Sequence, residues 1–237
     1  MNPERGVRNQ LPTLCLVCRR TVRGAYSLCR DCEAELPWLG KVCGRCGEEL
    51  NESGADFCSR CRLNPPEFDS CHAPFAYRPP VDKLIVDYKF NADFASGYAL
   101  SRILAGFMTR RWREGKVPDL LLPVPLHASR LRRRGFNQAL EIARVLAAES
   151  GTPLCPRGLR KLRPSPPQTK MQDARERGAN IRASFGVARN PAIRDARRVA
   201  LVDDVVTTMS TAMELTRVLK QAGVEEIEVC CLARAAL

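Results

Sequence analysis

At 237 residues the chain is long enough for one sizeable core and a small accessory module. Its 45% hydrophobic content excludes a globally disordered chain, and no apolar run approaches the ~20 residues of a membrane span. The formal net charge of +12, from 38 Lys+Arg against 26 Asp+Glu, favours polyanionic partners such as nucleic acid or phosphorylated metabolites. Residues 1–10 are polar and lack the apolar stretch of a secretory signal, so a cytoplasmic protein without membrane insertion is expected.

Eight of the 12 cysteines form four Cys-x-x-Cys pairs: Cys15/Cys18, Cys29/Cys32, Cys43/Cys46 and Cys58/Cys61. The second quartet repeats the first after 28 or 29 residues, which reads as an internal duplication. A two-residue spacer lets both thiolates of a pair reach one metal from a tight turn, and Gly47 after Cys46 suits a left-handed position there. One or two Zn²⁺ ions are expected. Their role is structural, because four thiolates close the coordination shell and leave no place for water or substrate. Sequential pairing (15, 18, 29, 32 and 43, 46, 58, 61), interleaved pairing and a single occupied site all fit the spacing. Cys71, Cys155, Cys230 and Cys231 stand in apolar stretches and read as small buried residues.

Pro65-Pro66 ends this region and suggests a Cys-rich module over residues 1–66 and a second unit over 67–237. Residues 68–77 alternate loosely, as a strand or hairpin arm. Helical spacing runs through 81–113 with a break near Asn91, placing Leu84, Ile85, Tyr88, Leu100, Ile103, Leu104 and Phe107 towards the core. Leu120, Leu121 and Leu122 form a short buried strand, cut off by Pro123 and Pro125. Arg130, Arg132, Arg133 and Arg134 follow within five residues, and Arg157, Arg160, Lys161 and Arg163 within seven. Such runs are solvated faces or phosphate contacts. Residues 138–148 form an amphipathic helix with Asn137 as N-cap. A proline-rich loop over 163–180 carries Gln168, Lys170 and Arg175. Strands are predicted at 185–188, 199–202 and 227–232, with a helix over 211–222. This order predicts an α/β fold with a mainly parallel sheet and helices on both faces.

The stretch from Val199 to Thr211 carries the chemistry. A buried strand runs into Asp203 and Asp204, then Val205 and Val206, then Thr207, Thr208, Met209, Ser210 and Thr211, where a helix begins. A hydroxyl-rich turn at a helix N-terminus offers N–H groups, hydroxyls and the positive end of a dipole to a phosphate. The carboxylates can accept from vicinal ribose hydroxyls or face the Mg²⁺ that accompanies a pyrophosphate. In parallel sheets ligands sit at the carboxyl ends of strands. The segment Pro123-Val-Pro-Leu-His127 lies at another such end, with His127 either a ligand or a hydrogen-bonded turn residue.

The 199–211 segment resembles the PRPP-binding motif of type I phosphoribosyltransferases: a hydrophobic strand, two acids and a Thr-Thr-Gly-x-Thr-like loop. Met209 stands where that loop has glycine. Methionine resists positive φ and brings a Cβ, so the loop is expected to be reshaped or its hold on phosphate weakened. Residues 123–130 match the family's pyrophosphate-contacting loop, which the resemblance assigns to Pro125, His127 and Arg130. The 163–180 loop resembles the one that closes over pyrophosphate, with a disordered linker as its other reading.

A narrower match covers nearly the whole chain from Cys15. Tyr-Lys-Phe (88–90), Pro-Val-Pro-Leu-His (123–127) and Arg-Leu-Arg-Arg-Arg-Gly-Phe-Asn-Gln-Ala (130–139) precede Gln168, Arg175, Asn180 and Phe185, then Val-Asp-Asp-Val-Val-Thr-Thr (202–208). Together they resemble the ComF family of late competence proteins. The resemblance implies a zinc-ribbon-like module joined to a phosphoribosyltransferase-like domain, in a cytoplasmic protein that handles incoming single-stranded DNA. Two functions stay open. In one, DNA or a DNA-processing protein is bound through Arg132, Arg133 and Arg134, with PRPP a retained ligand. At 6% aromatic content, base stacking is expected to add little. In the other, Asp203 and Asp204 act in transfer from PRPP to an amine or base. Residues 205–211 then hold the 5′-phosphate and Mg²⁺ bridges the pyrophosphate.

Overall fold

The computed structural model describes residues 12–50, 54–162 and 184–236. Its N-terminal part is built twice on one plan. A first Cys-x-x-Cys turn lies between the antiparallel strands β1 (Thr13–Leu14) and β2 (Thr21–Val22). The next pair opens a single-turn helix, α1 (Arg30–Ala34), with Cys29 as N-cap, its sulfur accepting from the N–H of Cys32. The second half repeats this: a turn at Cys43–Cys46, then α2 (Ser59–Leu63) with Cys58 as N-cap. Gly47 takes the expected left-handed conformation at φ +68°.

Next come β3 (Ser70–His72) and β4 (Phe75–Ala76), then α3 (Val81–Asn91) and α4 (Phe94–Glu114). The break between the helices has a local cause. Ala92 closes α3 in the left-handed region, and Asp93 caps α4 by accepting from the N–H groups of Ala95 and Ser96. Gly97 lets the helices touch, since a Cβ there would meet the Tyr88 ring at 2.4 Å. There follow β5 (Leu120–Pro123), α5 (Ala128–Arg134), α6 (Gln138–Ser150), β6 (Leu159–Lys161), β7 (Phe185–Val187), α7 (Pro191–Asp195), β8 (Arg198–Val206), α8 (Ser210–Gln221) and β9 (Glu226–Arg234).

The main sheet runs β3-β9-β8-β5 with every pair parallel, and β4 prolongs the edge beside β9. Residues 68–77 are therefore a broken parallel strand, not a hairpin arm. Residues 199–202 and 229–233 are all buried, as a strand covered on both faces requires. Their side chains alternate. Val199, Leu201, Val229 and Cys231 join Leu215 and Leu219 of α8, while Ala200, Val202, Cys230 and Leu232 join α3, α4 and α6.

Four elements, β6, β7, α5 and α7, differ from the sequence expectation. The predicted strand at 185–188 lies off the main sheet and pairs antiparallel with β6, which pattern reading missed. The short helices α5 and α7 were missed as well. The α5 helix buries none of its residues and has no apolar stripe to betray it. The loop expected over 163–180 lies outside the described residues, apart from its flanks.

The Cys-rich halves belong to the core. Cys15, Leu28, Cys32 and Leu36 pack on the face covered by α3 and α4. Cys43, Cys46 and Cys61 pack with Phe68, Cys71 and the α8 side. Cys71, Cys155, Cys230 and Cys231 are buried as expected. No helix among the described residues is long and apolar enough to cross a membrane.

Candidate functional site

Two cysteine clusters form, and they pair sequentially. The sulfurs of Cys15, Cys18, Cys29 and Cys32 lie within 4.8 Å of one another, and so do those of Cys43, Cys46, Cys58 and Cys61. This excludes the interleaved arrangement. The Cys18–Cys29 and Cys46–Cys58 sulfur pairs are each 3.7 Å apart, close to the ~3.8 Å edge of a tetrahedron with Zn–S bonds of ~2.3 Å. An all-sulfur donor set of this size fits Zn²⁺ in a closed, structural role. Each cluster holds one pre-ionised ligand. Burial opposes the Cys15 thiolate, but the N–H groups of Cys18, Cys29 and Val17 point at its sulfur and bring the pKa down to about 6. Cys43 falls to about 7 in the same way, through Cys46, Cys58 and Arg45. Cys32 and Cys61 are pushed up by burial and by neighbouring sulfurs, the opposite direction to Cys15 and Cys43.

At the carboxyl end of β8, Asp203 and Asp204 stand side by side, both partly buried. Asp203 Oδ1 accepts from the N–H of Asp204 at 2.8 Å. Burial first, and the charge of Asp204 second, push Asp203 up to about 7 against the lowering fields of Lys89 and Lys161. Asp204 Oδ1 pairs with Lys89 Nζ at 2.9 Å, with only 14% and 19% of the two side chains exposed.

Residues 205–211 curl from the strand into α8 and line a recess of about 50 Å³ together with Asp203 and Ala212. Thr207 and Thr208 are exposed, and the hydroxyls of Thr208 and Ser210 lie 3.0 Å apart. No side chain caps α8 and its first turn carries no acid. Its leading N–H groups are thus presented as an anion site requires. Met209 sits at the helix N-cap with φ +64°. Methionine thus adopts here the left-handed conformation that it resists and that glycine takes freely. That conformation costs about 1–2 kcal/mol. It is offset because the residue is only 7% exposed and packs into the cluster of Val206, Ala212 and Leu215.

Beside the acids, β5 ends opposite Val202 and its chain continues through Val124, whose N–H donates to the Val202 carbonyl. Asn137 caps α6 as expected and also donates from Nδ2 to the Val124 carbonyl at 3.1 Å, fixing this loop. His127 is the N-cap of α5, its Nδ1 accepting from the N–H of Ser129. This is the hydrogen bond expected of a turn residue, made by Nδ1 alone. Pro125 is partly buried, and Arg130 is exposed one turn into α5.

Lys89 contacts the acid pair and the fields of Arg134 and Lys161 reach it, from three separate elements that sequence reading did not assign there. Lys89 comes from α3, where it lies one turn beyond fully buried Ile85; a lysine on the apolar stripe was the available signal. Arg134 feels the field of Asp204, donates to Gln138 Oε1 at 2.7 Å and stacks over Phe90 at 5.0 Å. Lys161 of β6 is set against Asp203 and Glu214, its pKa lowered by burial and by Arg130.

Of the three arginines expected to contact DNA, Arg132 and Arg133 are exposed while Arg134 turns inward. The rings of Phe94 and Phe136 lie 4.8 Å apart, tilted by 49°, and Phe136 meets Tyr88 at 5.4 Å, with Phe90 and Phe94 67% and 53% exposed.

A family model described as a double zinc ribbon domain matches residues 7–62. Competence protein F of Haemophilus influenzae is 34% identical over 224 residues, 93% of this chain and 96% of that one. The DNA utilization protein YhgH of Escherichia coli K12 is 30% identical over 227 residues, 94% and 98% of the two chains. Among solved structures, the glutamine PRPP amidotransferase of B. subtilis matches at 20% identity and a TM-score of 0.41, over 61% of this chain and 30% of that one.

Metal analysis of the purified chain should find two zinc ions per molecule, and one in either Cys18→Ser or Cys58→Ser. Less than one zinc in the unaltered chain would overturn the assignment.

Proposed function

We propose, from the premise that the chain belongs to the competence protein F (ComF) family, that it handles incoming single-stranded DNA during natural transformation and binds PRPP or a similar phosphorylated ribose. Residues 1–66 serve as the metal-held module and 67–237 as the ligand-binding unit, in the cytoplasm. One observation carries the PRPP reading: an uncapped helix N-terminus and hydroxyl turn adjoin an acid pair ringed by Lys89, Arg134 and Lys161. The 5′-phosphate takes the N–H groups and hydroxyls of residues 205–211. Asp203 and Asp204 accept from the ribose hydroxyls, and the loop of Pro125, His127 and Arg130 faces the pyrophosphate. The oxygen-only donors of Asp203 and Asp204 fit Mg²⁺, which would neutralise pyrophosphate charge when bound with it.

The exposed Arg132 and Arg133, the paired Phe94 and Phe136 and the cation-covered Phe90 form a surface suited to a single strand. Guanidinium groups meet the phosphates and rings meet the bases. The α5 helix carries four arginines and no acid, so nothing on it repels the strand. DNA, and with it a DNA-processing protein, is reached from this side of the molecule.

A second reading is transfer of phosphoribosyl from PRPP to an amine or base acceptor. The convergence of Lys89, Arg134 and Lys161 favours it, because fixed cations stabilise the charge that develops on departing pyrophosphate.

Calorimetric titration of PRPP with Mg²⁺ should give binding to the unaltered protein and at least a tenfold loss in Asp204→Asn. Met209→Gly should bind within about threefold of the unaltered chain, since the backbone there is already left-handed, while losing ~1–3 kcal/mol of stability with its buried side chain. An unaltered protein that binds no PRPP would refute the reading.

For DNA, Arg132→Ala combined with Arg133→Ala should lower the log–log salt slope of oligonucleotide binding by about 1.4, ~0.7 for each phosphate that is no longer neutralised. Phe94→Ala should weaken binding with no change in slope. An unchanged affinity in both would remove this surface from the account.

A further inference from the structure

Arg234, the last residue of β9, is 2% exposed and has no carboxylate partner among the described residues. Its guanidinium is held by carbonyl oxygens alone. Nε donates to Cys46 at 2.9 Å, and Nη1 to Val206 at 3.0 Å, Thr207 at 2.6 Å and Ala235 at 2.6 Å. Nη2 is buried with no acceptor. A buried, uncompensated charge costs several kcal/mol. The nearby cluster answers that charge, because Zn²⁺ bound by four thiolates carries a net charge of −2. Cys46 is one of those ligands, and its own carbonyl receives Nε.

We infer that Arg234 is a positioning residue that couples the second zinc centre to the turn at 205–211. In a trans peptide the N–H points opposite to the preceding carbonyl. Drawing the carbonyls of Val206 and Thr207 inward therefore turns the N–H groups of Thr207 and Thr208 outward, where an anion would meet them. On the metal side the grip is equally close. A Cβ on Gly47 would lie 2.6 Å from the Cys71 carbonyl oxygen, so the Cys46–Gly47 knuckle rests directly on β3. Cys43, Cys46, Cys61, Val206 and Met209 share one core cluster. The first centre packs instead on the opposite face of the sheet, with α3 and α4. Coupling is thus specific to the second centre, and by linkage a ligand on the turn tightens zinc binding at that centre.

Hydrogen exchange of the full-length protein, read at the Ala235 amide that donates to the Val206 carbonyl at the root of the turn, tests this. The Cys58→Ser chain should exchange there at least tenfold faster than the unaltered protein. The Cys18→Ser chain, which keeps the second centre, should stay within about twofold. Arg234→Met should match Cys58→Ser at the turn, with exchange in 94–114 unchanged, and should release one zinc faster to a chelator. If Arg234→Met fails to fold, the contrast between the two cysteine variants decides. Equal exchange in Cys58→Ser and Cys18→Ser would overturn the coupling. The identity of the ligand rests on the phosphoribosyl reading, but the exchange experiment does not: a chain that shows the contrast and binds no PRPP loses that reading and keeps the coupling.

Discussion

A parallel sheet covered on both faces desolvates any charge along its strands, so polar chemistry favours the places where the strands end. Residues 199–202 are entirely buried, with Arg198 before them at the start of β8 and Asp203 and Asp204 after them in the last stretch of its pairing with β9. Two like charges there repel and are partly desolvated, which raises Asp203 towards neutrality. The surroundings answer that cost with Lys89, Lys161 and Arg134, each from a different element. The same strand ends place the Val124 loop and the α8 N-terminus beside the acids. A phosphorylated ribose offers hydroxyls to the acids and anions to the cations, so one ligand class complements the whole arrangement.

The zinc ribbons extend this logic. Segments as short as these bury too little apolar surface to fold alone. Each half uses metal for local order and then packs its remaining apolar surface on a different face of the sheet. The second half thereby reaches the turn at 205–211 through Arg234. A module that reads in the sequence as an accessory is built into the support of the site.

What could be read from sequence, and what could not, follows from the range of the interactions. The strand into Asp203, the hydroxyl turn and the helix after it were legible because apolar runs, acids and hydroxyls are local signals; α8 begins one residue before the predicted start. Cysteine spacing revealed metal ligands but not their partners, since pairing depends on how the two halves pack. Lys89 was hidden because its partner, Asp204, lies far along the chain. The α5 helix buries nothing and so has no periodicity, and Arg134 was grouped with exposed neighbours from which only tertiary structure separates it. Met209 was legible as a residue at odds with a left-handed position, but the burial of its side chain, which opposes that cost, was not.

The most direct measurement is a crystal structure of the zinc-loaded protein with Mg²⁺ and PRPP. The account predicts a 5′-phosphate against the N–H groups of residues 207–211, ribose hydroxyls on Asp203 and Asp204, and Lys89 within reach of both Asp204 and the pyrophosphate. A clear view of this turn at saturating PRPP with no ligand in it, or PRPP bound elsewhere, would contradict the account.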